Sequence, residues 1–183
     1  MRPVPGSLRS SLLSASVLTL AVVASVAPSA CSAQALPGTM YGMYKVTGQT
    51  TVNSCGAGLD APDPWVFDAQ LSQSGTTIYW SWMDGNAPLS GPLVSTGHAS
   101  ITADESANVD ATDAGLGPCT MARADDIELT FAASSPPASF TGTIAYSFTV
   151  PSGSTCTDQL ASSGGSYATL PCSISYSVSA ALQ

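Results

Sequence analysis

From residue 36 onward, apolar and polar residues alternate in runs with a period of two. In the clearest run, Cys172 to Leu182, apolar residues alternate with Ser173, Ser175, Ser177 and Ser179. Such strict alternation is typical of a β-strand with one buried face and one face in water. The pattern predicts these strands: Tyr41–Val52, Trp65–Leu71, Ile78–Trp82, Leu89–Val94, Ile101–Ala111, a strand through Ile127, Leu129 and Phe131, Phe140–Val150 and Cys172–Leu182.

The gaps between these runs are rich in turn residues, and no helical period stands out after residue 36. Residues 36–183 are therefore expected to form a single all-β domain, long enough to bury a substantial core. Eight strands in sequential order favour an eight-stranded antiparallel up-and-down barrel, because closure of the sheet removes its edges. A two-sheet β-sandwich is the alternative, since strand spacing is similar in both folds.

The first 35 residues have the pattern of an export signal. Arg2 and Arg9 give a basic start, and an uncharged apolar stretch follows from Leu12 to Ala27 before a run of small residues. This stretch of about 16 residues is short for a membrane span. We therefore expect signal-peptide cleavage and export of the mature chain.

Two processing sites compete within residues 29–35. Ser29-Ala30-Cys31-Ser32 resembles the lipobox of bacterial lipoproteins, in which the cysteine is acylated, although Pro28 replaces the usual aliphatic residue. In this reading Ser32 resembles the pattern for outer-membrane sorting, and the lipid on Cys31 would be the protein's only membrane contact. The alternative is cleavage after Ala33-Gln34-Ala35, which would give a secreted or periplasmic protein that begins at Leu36.

Four cysteines remain once Cys31 is set aside: Cys55, Cys119, Cys156 and Cys172. An even number in an exported chain predicts two disulfides. In an up-and-down meander, the gaps after the first, fifth and seventh strands lie at the same end. All four thiols are therefore expected around one mouth of the barrel, while the choice among the three possible pairings stays open.

Charge is sparse and negative. Without Arg2 and Arg9, only Lys45 and Arg123 oppose the 12 acidic residues, so the charge is 2 − 12 = −10. So few cations exclude a nucleic-acid-binding protein that neutralises phosphates. The apolar fraction of 44% and the three tryptophans favour a folded domain over a disordered one.

Two groups of residues are candidates for ligand binding. Trp80 and Trp82 share a strand face, and aromatic rings inside a small barrel either stack on a ligand or fill the core. The alternation of inward and outward positions, here called parity, also places Glu105, Arg123 and Asp125 on the inner face of the sheet. Glu105 is expected close to Asp125 across a hairpin. An arginine between two carboxylates is either a structural ion network or a polar anchor in a pocket.

Little in the chain supports catalysis or a cofactor. His98 is the one histidine and is expected in a solvated turn, and neither a G-x-S-x-G elbow nor a phosphate-binding loop occurs. Asp104, Asn108 and Asp110 alternate on the polar face of the fifth strand, but no calcium-loop motif surrounds them. The expectation is a non-enzymatic protein without metal or cofactor.

Two functions are compatible with these observations. The first is an exported or lipid-anchored bacterial envelope protein with a structural or interaction role, which a solid interior would favour. The second comes from the strand rhythm of Tyr41-Gly42-x-Tyr44 and of Gly75, Ile78 and Trp80, followed by Leu89 and Gly91, which is similar to that of lipocalins and avidins. This resemblance implies a carrier of a small apolar ligand, which a pocket lined by tryptophan rings would favour.

Overall fold

The computed structural model describes residues 35–83, 86–109 and 119–183, and these form a closed antiparallel β-barrel of eight strands. Each strand pairs with the next along the chain, and the last pairs with the first. The predicted up-and-down barrel is therefore confirmed, and the two-sheet alternative is excluded. The strands are β1 (Thr39–Asn53), β2 (Trp65–Ser74), β3 (Thr77–Ser81), β4 (Leu89–Ser95), β5 (His98–Val109), β6 (Cys119–Phe131), β7 (Ser139–Thr149) and β8 (Cys172–Leu182).

The strand boundaries differ from the predicted ones at functionally relevant places. Trp82 lies just beyond the end of β3, and β6 begins at Cys119, eight residues before the predicted apolar run. His98 is the first residue of β5 rather than part of the preceding turn. The predicted export signal with Cys31 lies outside the described residues, as do Asp110 and Ala111 of the fifth predicted strand. No helix in the described ranges is long and apolar enough to cross a bilayer.

The interior is filled by the residues that alternation predicts to face inward. Ile144 is fully buried, and Ile174 and Tyr176 are nearly so, while the intervening serines of β8 lie at the surface or are half-buried. Burial of each such aliphatic side chain stabilises the fold by about 1.5 to 3 kcal/mol. The most buried large side chains are Trp80, Tyr44, Phe140, Leu71, Ile78, Ile101, Ile127, Leu129 and Ile144.

One end of the barrel, where β1 begins and β8 finishes, is closed. Tyr44 packs against Phe140 with ring centroids 5.2 Å apart, and Phe140 contacts Trp80 at 5.8 Å. The buried hydroxyl of Tyr44 donates to the carbonyl oxygen of Pro137 at 2.6 Å. On the same end, the hydroxyl of Ser72 donates to the Pro37 carbonyl at 2.7 Å. We call this the closed end, and the opposite one the open end.

Tyr44→Phe is expected to lower the free energy of unfolding by about 1 to 3 kcal/mol at neutral pH, because the Pro137 carbonyl loses its buried donor. Burial, and then the neighbouring Tyr41, raise the pKa of Tyr44 from 10.0 to about 12. The neutral hydroxyl therefore contributes stability that is complete below pH 10 and is lost as the pH rises through 12. The free energy of unfolding, measured by chemical denaturation at several alkaline pH values, should fall less with rising pH in this variant than in the parent protein.

Tyr79→Phe, on the outer side of β3, is the matched control for loss of a tyrosine hydroxyl. Equal destabilisation of the two variants would contradict the role assigned to the Tyr44 hydroxyl.

Candidate functional site

A cleft of about 870 Å³ lies at the open end of the barrel. It arises because the strands differ in length: β3 and β4 have 5 and 7 residues, whereas β5 and β6 have 12 and 13. Within the described residues β4 pairs with β5 only at Leu93 and Ser95, while β5 continues to Val109. On the Leu93–Ala99 register, Leu89 at the start of β4 is level with Ala103, and β5 continues six residues, about 20 Å, beyond that level. The barrel wall is therefore shortest at β3 and β4, and the cleft opens on this side of the barrel.

An aromatic wall forms one side of the cleft and consists of Trp65, Phe67 and Trp82. The rings of Trp65 and Trp82 are stacked, with centroids 5.6 Å apart and planes inclined by 27°. Phe67 contacts both of them, at 4.3 Å and 5.2 Å. Trp65 also contacts Tyr176 of β8, with ring centroids 4.9 Å apart. All three wall residues are only half-buried, so their rings line open space.

The other side of the cleft carries charge from β5 and β6. The Nε and Nη2 atoms of Arg123 donate to the two carboxylate oxygens of Asp125, both at 2.6 Å. The guanidinium also lies over the ring of Tyr146, 4.7 Å from its centroid. Glu105 is the direct register partner of Arg123 and is exposed. Arg123 is thus held in place by a bidentate ion pair on one side and an aromatic ring beneath it.

This ion pair determines the chemistry available at the charged side. The hydrogen bonds to Asp125 raise the pKa of Arg123 above its usual value, so the guanidinium stays charged. Both oxygens of Asp125 accept from Arg123, so the carboxylate is engaged in the ion pair. Arg123 and Asp125 therefore act as a neutral, rigid pair at the edge of the cleft.

Four of the five residues predicted to bind a ligand line this cleft together: Trp82, Glu105, Arg123 and Asp125. The fifth, Trp80, does not line it and is completely buried. It belongs to the part of β3 where the interior is filled, and it supports the cleft from below through an edge contact with Trp82 at 5.0 Å. The register also corrects the expected hairpin, because Arg123 and not Asp125 lies directly opposite Glu105.

Sequence reasoning missed several residues of the cleft. Phe67 and Tyr146 line the cleft from inward-facing positions of the predicted strands, but the pattern did not single them out as ligand contacts. Asp104 was placed on the polar outer face of β5, and it reaches the cleft because β4 no longer covers that edge of β5. Residues 86–89, between β3 and β4, complete the lining, and a connection of this kind has no periodic signal.

His98 lies outside the cleft. Its Nε2 atom is 3.0 Å from a carboxylate oxygen of Glu128 on β6, and both side chains are about one third exposed. The pair lies on the outer surface near the closed end, because the neighbouring Ala99 faces inward. The histidine therefore has a structural partner rather than the fully solvated position expected of a turn residue.

Residues 150–171, which we call the cap segment, cover another part of the open end. The segment contains two short 3₁₀ turns, and Tyr167 within it packs against Phe148 at 5.6 Å. Cys156 near its start is bonded to Cys119 of β6, and Cys172 immediately after it is bonded to Cys55. The predicted gathering of the four cysteines at one end is thus confirmed, and the structure assigns their pairing.

The two disulfides are typical of an oxidising, extracytoplasmic compartment. Within the described ranges, no group of three or more histidine, cysteine, aspartate or glutamate residues is arranged to hold a metal ion. Comparison with protein families, curated proteins and solved structures finds no match to this chain. The site therefore has to be interpreted from its own geometry.

Replacing both cysteines of a pair with serine is expected to destabilise the protein, and the Cys55–Cys172 pair should matter more. It links residues 117 apart, against 37 for Cys119–Cys156. The chain-entropy model gives about 5 and about 4 kcal/mol for loops of these sizes. Urea denaturation of the two double variants measures the difference, with the reduced parent protein as the control for loss of both bonds. A larger loss for the Cys119–Cys156 variant would contradict this ranking.

Proposed function

We propose that the protein is a non-enzymatic, exported binding protein that holds a small ligand with a flat apolar part in the cleft at its open end. The observation that carries the proposal is the aromatic wall, in which half-buried Trp65 and Trp82 line a space of about 870 Å³. Pockets of about 300 to 1,000 Å³ lined by aromatic residues and a few polar groups are typical of small-molecule sites.

The contrast between the two ends supports a carrier similar in kind to lipocalins. The closed end is packed solid around Tyr44 and Phe140, so a ligand would both enter and leave through the open end. Exposed apolar rings cost free energy in water, and a stacked ligand would cover them. This cost is hard to explain if the open end had a purely structural role.

The charged side of the cleft supports binding over catalysis. Asp125 is committed to Arg123 through two short hydrogen bonds, and Glu105 is exposed opposite the same guanidinium. An acid–base mechanism that uses Asp125 would first have to break both of these hydrogen bonds. The pair instead presents a fixed polar surface that can orient a bound molecule.

An interaction role in the cell envelope is the second candidate, and the solid interior near the closed end favours it. Export could end in acylation at Cys31 or in release of a chain that begins at Leu36. Mass spectrometry of the mature protein distinguishes these, because acylation would add the mass of the lipid to a chain that starts at Cys31.

The binding proposal predicts that the neutral fluorescent probe N-phenyl-1-naphthylamine binds the protein and gains fluorescence. Trp82→Ala should weaken this binding by about tenfold or more, because truncation of a central aromatic contact usually costs over 1 kcal/mol. Tyr79→Ala, an aromatic truncation on the outer side of β3, is the control and should bind as the parent does. Near-ultraviolet circular dichroism verifies that both variants are folded.

Absence of probe binding, or equal binding by the parent and the Trp82→Ala variant, would contradict a ligand site at the aromatic wall. The envelope-interaction role would then be the better explanation of the fold.

A further inference from the structure

We infer that the ligand of the cleft is an organic cation, a molecule in which an ammonium or an aromatic nitrogen cation is attached to a flat apolar group. This inference rests on the proposed function and specifies the chemical class of the ligand. It follows from the charges around the cleft, from the engagement of its one cation, and from the electrostatics of the aromatic wall.

The described residues that line the cleft carry more negative than positive charge. Asp104, Glu105 and Asp125 contribute three carboxylates, and Arg123 contributes one cation, so the balance is 1 − 3 = −2. Asp104 and Glu105 are both exposed, so their carboxylates are accessible to a ligand in the cleft. An incoming cation would be attracted to this side of the cleft, and an anion would be repelled.

Arg123 is already paired with Asp125, so it offers an anionic ligand little net positive charge. Its Nε and Nη2 atoms both donate to Asp125, and the flat face of the guanidinium rests on Tyr146. The edge formed by Nε and Nη2 could accept an anion only if the buried carboxylate of Asp125 were displaced, which would leave a charge without its partner in a partly desolvated place. An anion at the remaining Nη1 atom would meet a guanidinium whose charge Asp125 already neutralises.

The aromatic wall adds a second attraction for a cation. The faces of Trp65 and Trp82 carry partial negative charge, and a cation within about 6 Å of such a ring is attracted to it. The cleft thus has rings that attract cations on one side and carboxylates on the other. A neutral apolar ligand would use the rings but would desolvate Glu105 and Asp104 without compensation.

The rest of the molecule reinforces this preference. The formal net charge of the chain is −8. In the described ranges the cations other than histidine are Lys45 and Arg123, and each is already bonded to an aspartate, Lys45 to Asp68 at 3.1 Å. The negative electrostatic potential that results over the surface increases the association rate of positively charged ligands.

Isothermal titration calorimetry with three probes that share a two-ring framework tests the inference: N-methylquinolinium as the cation, quinoline as the neutral molecule and 1-naphthalenesulfonate as the anion. We expect the cation to bind about tenfold more tightly than quinoline, as cation–π and carboxylate contacts together would give. The anion should bind least. Added salt should weaken binding of the cation more than that of quinoline.

Glu105→Gln supplies the site-specific test, because Glu105 is exposed and its replacement should not disturb the fold. The variant should lose roughly threefold to tenfold in affinity for N-methylquinolinium and little for quinoline, as expected for loss of one nearby charge. Asp126→Asn is the matched control, since it removes one charge from an exposed position of β6 that does not line the cleft. Its affinity for both probes should stay close to that of the parent.

The outcomes separate this inference from the proposal beneath it. Equal binding of quinoline and N-methylquinolinium, or tightest binding of the sulfonate, would overturn the cation preference and leave the aromatic ligand site intact. Equal losses in the Glu105→Gln and Asp126→Asn variants would overturn the role of the cleft carboxylates. Failure of all three probes to bind would count against the ligand site itself.

Discussion

The hydrogen-bonded ladder between β1 and β8 is the contact on which the rest of the structure depends. It pairs Val46 with Ala180 and closes the sheet on itself, so that alternate residues are forced into an enclosed interior. The seam continues at the open end, where the backbone N–H of Ser54 donates to Ser173 and the Cys55–Cys172 bond follows. Non-covalent and covalent links therefore hold the first and last strands together along the same line.

Closure creates one interior, but unequal strand lengths divide it into two parts. Towards the closed end all strands take part, and aromatic and aliphatic side chains fill the space. Towards the open end β3 and β4 are absent, so the rings of Trp65 and Trp82 have no partner strand above them. The filled part then serves as a rigid base for the open part, as the contact between Trp80 and Trp82 illustrates. A site built in this way is positioned by strands rather than by loops.

Much of this could be predicted from the sequence, because a period of two reports directly which residues face inward. Parity identified Trp82, Glu105, Arg123 and Asp125, and the up-and-down order of the strands identified the end at which the cysteines meet. Parity does not report depth along a strand, however, and so it could not separate buried Trp80 from half-buried Trp82. Depth depends on which neighbouring strands reach the same level, and that is a property of the assembled sheet.

Other features depend on pairing between distant strands, which local patterns do not contain. The register that brings Arg123 opposite Glu105 is fixed by the whole β5–β6 ladder. Asp104 reaches the cleft only because β4 falls short of it, and the disulfide partners depend on how the cap segment crosses the open end. In each case the residue type can be read from the sequence, but its neighbours depend on the tertiary structure.

The described chain enters and leaves the barrel at the closed end. Pro37 is bonded there to Ser72, and the backbone N–H of Gln183 donates to Met43 of β1. A label or solid support joined after Gln183 would consequently lie at the closed end and leave the cleft at the opposite end accessible to diffusing solutes.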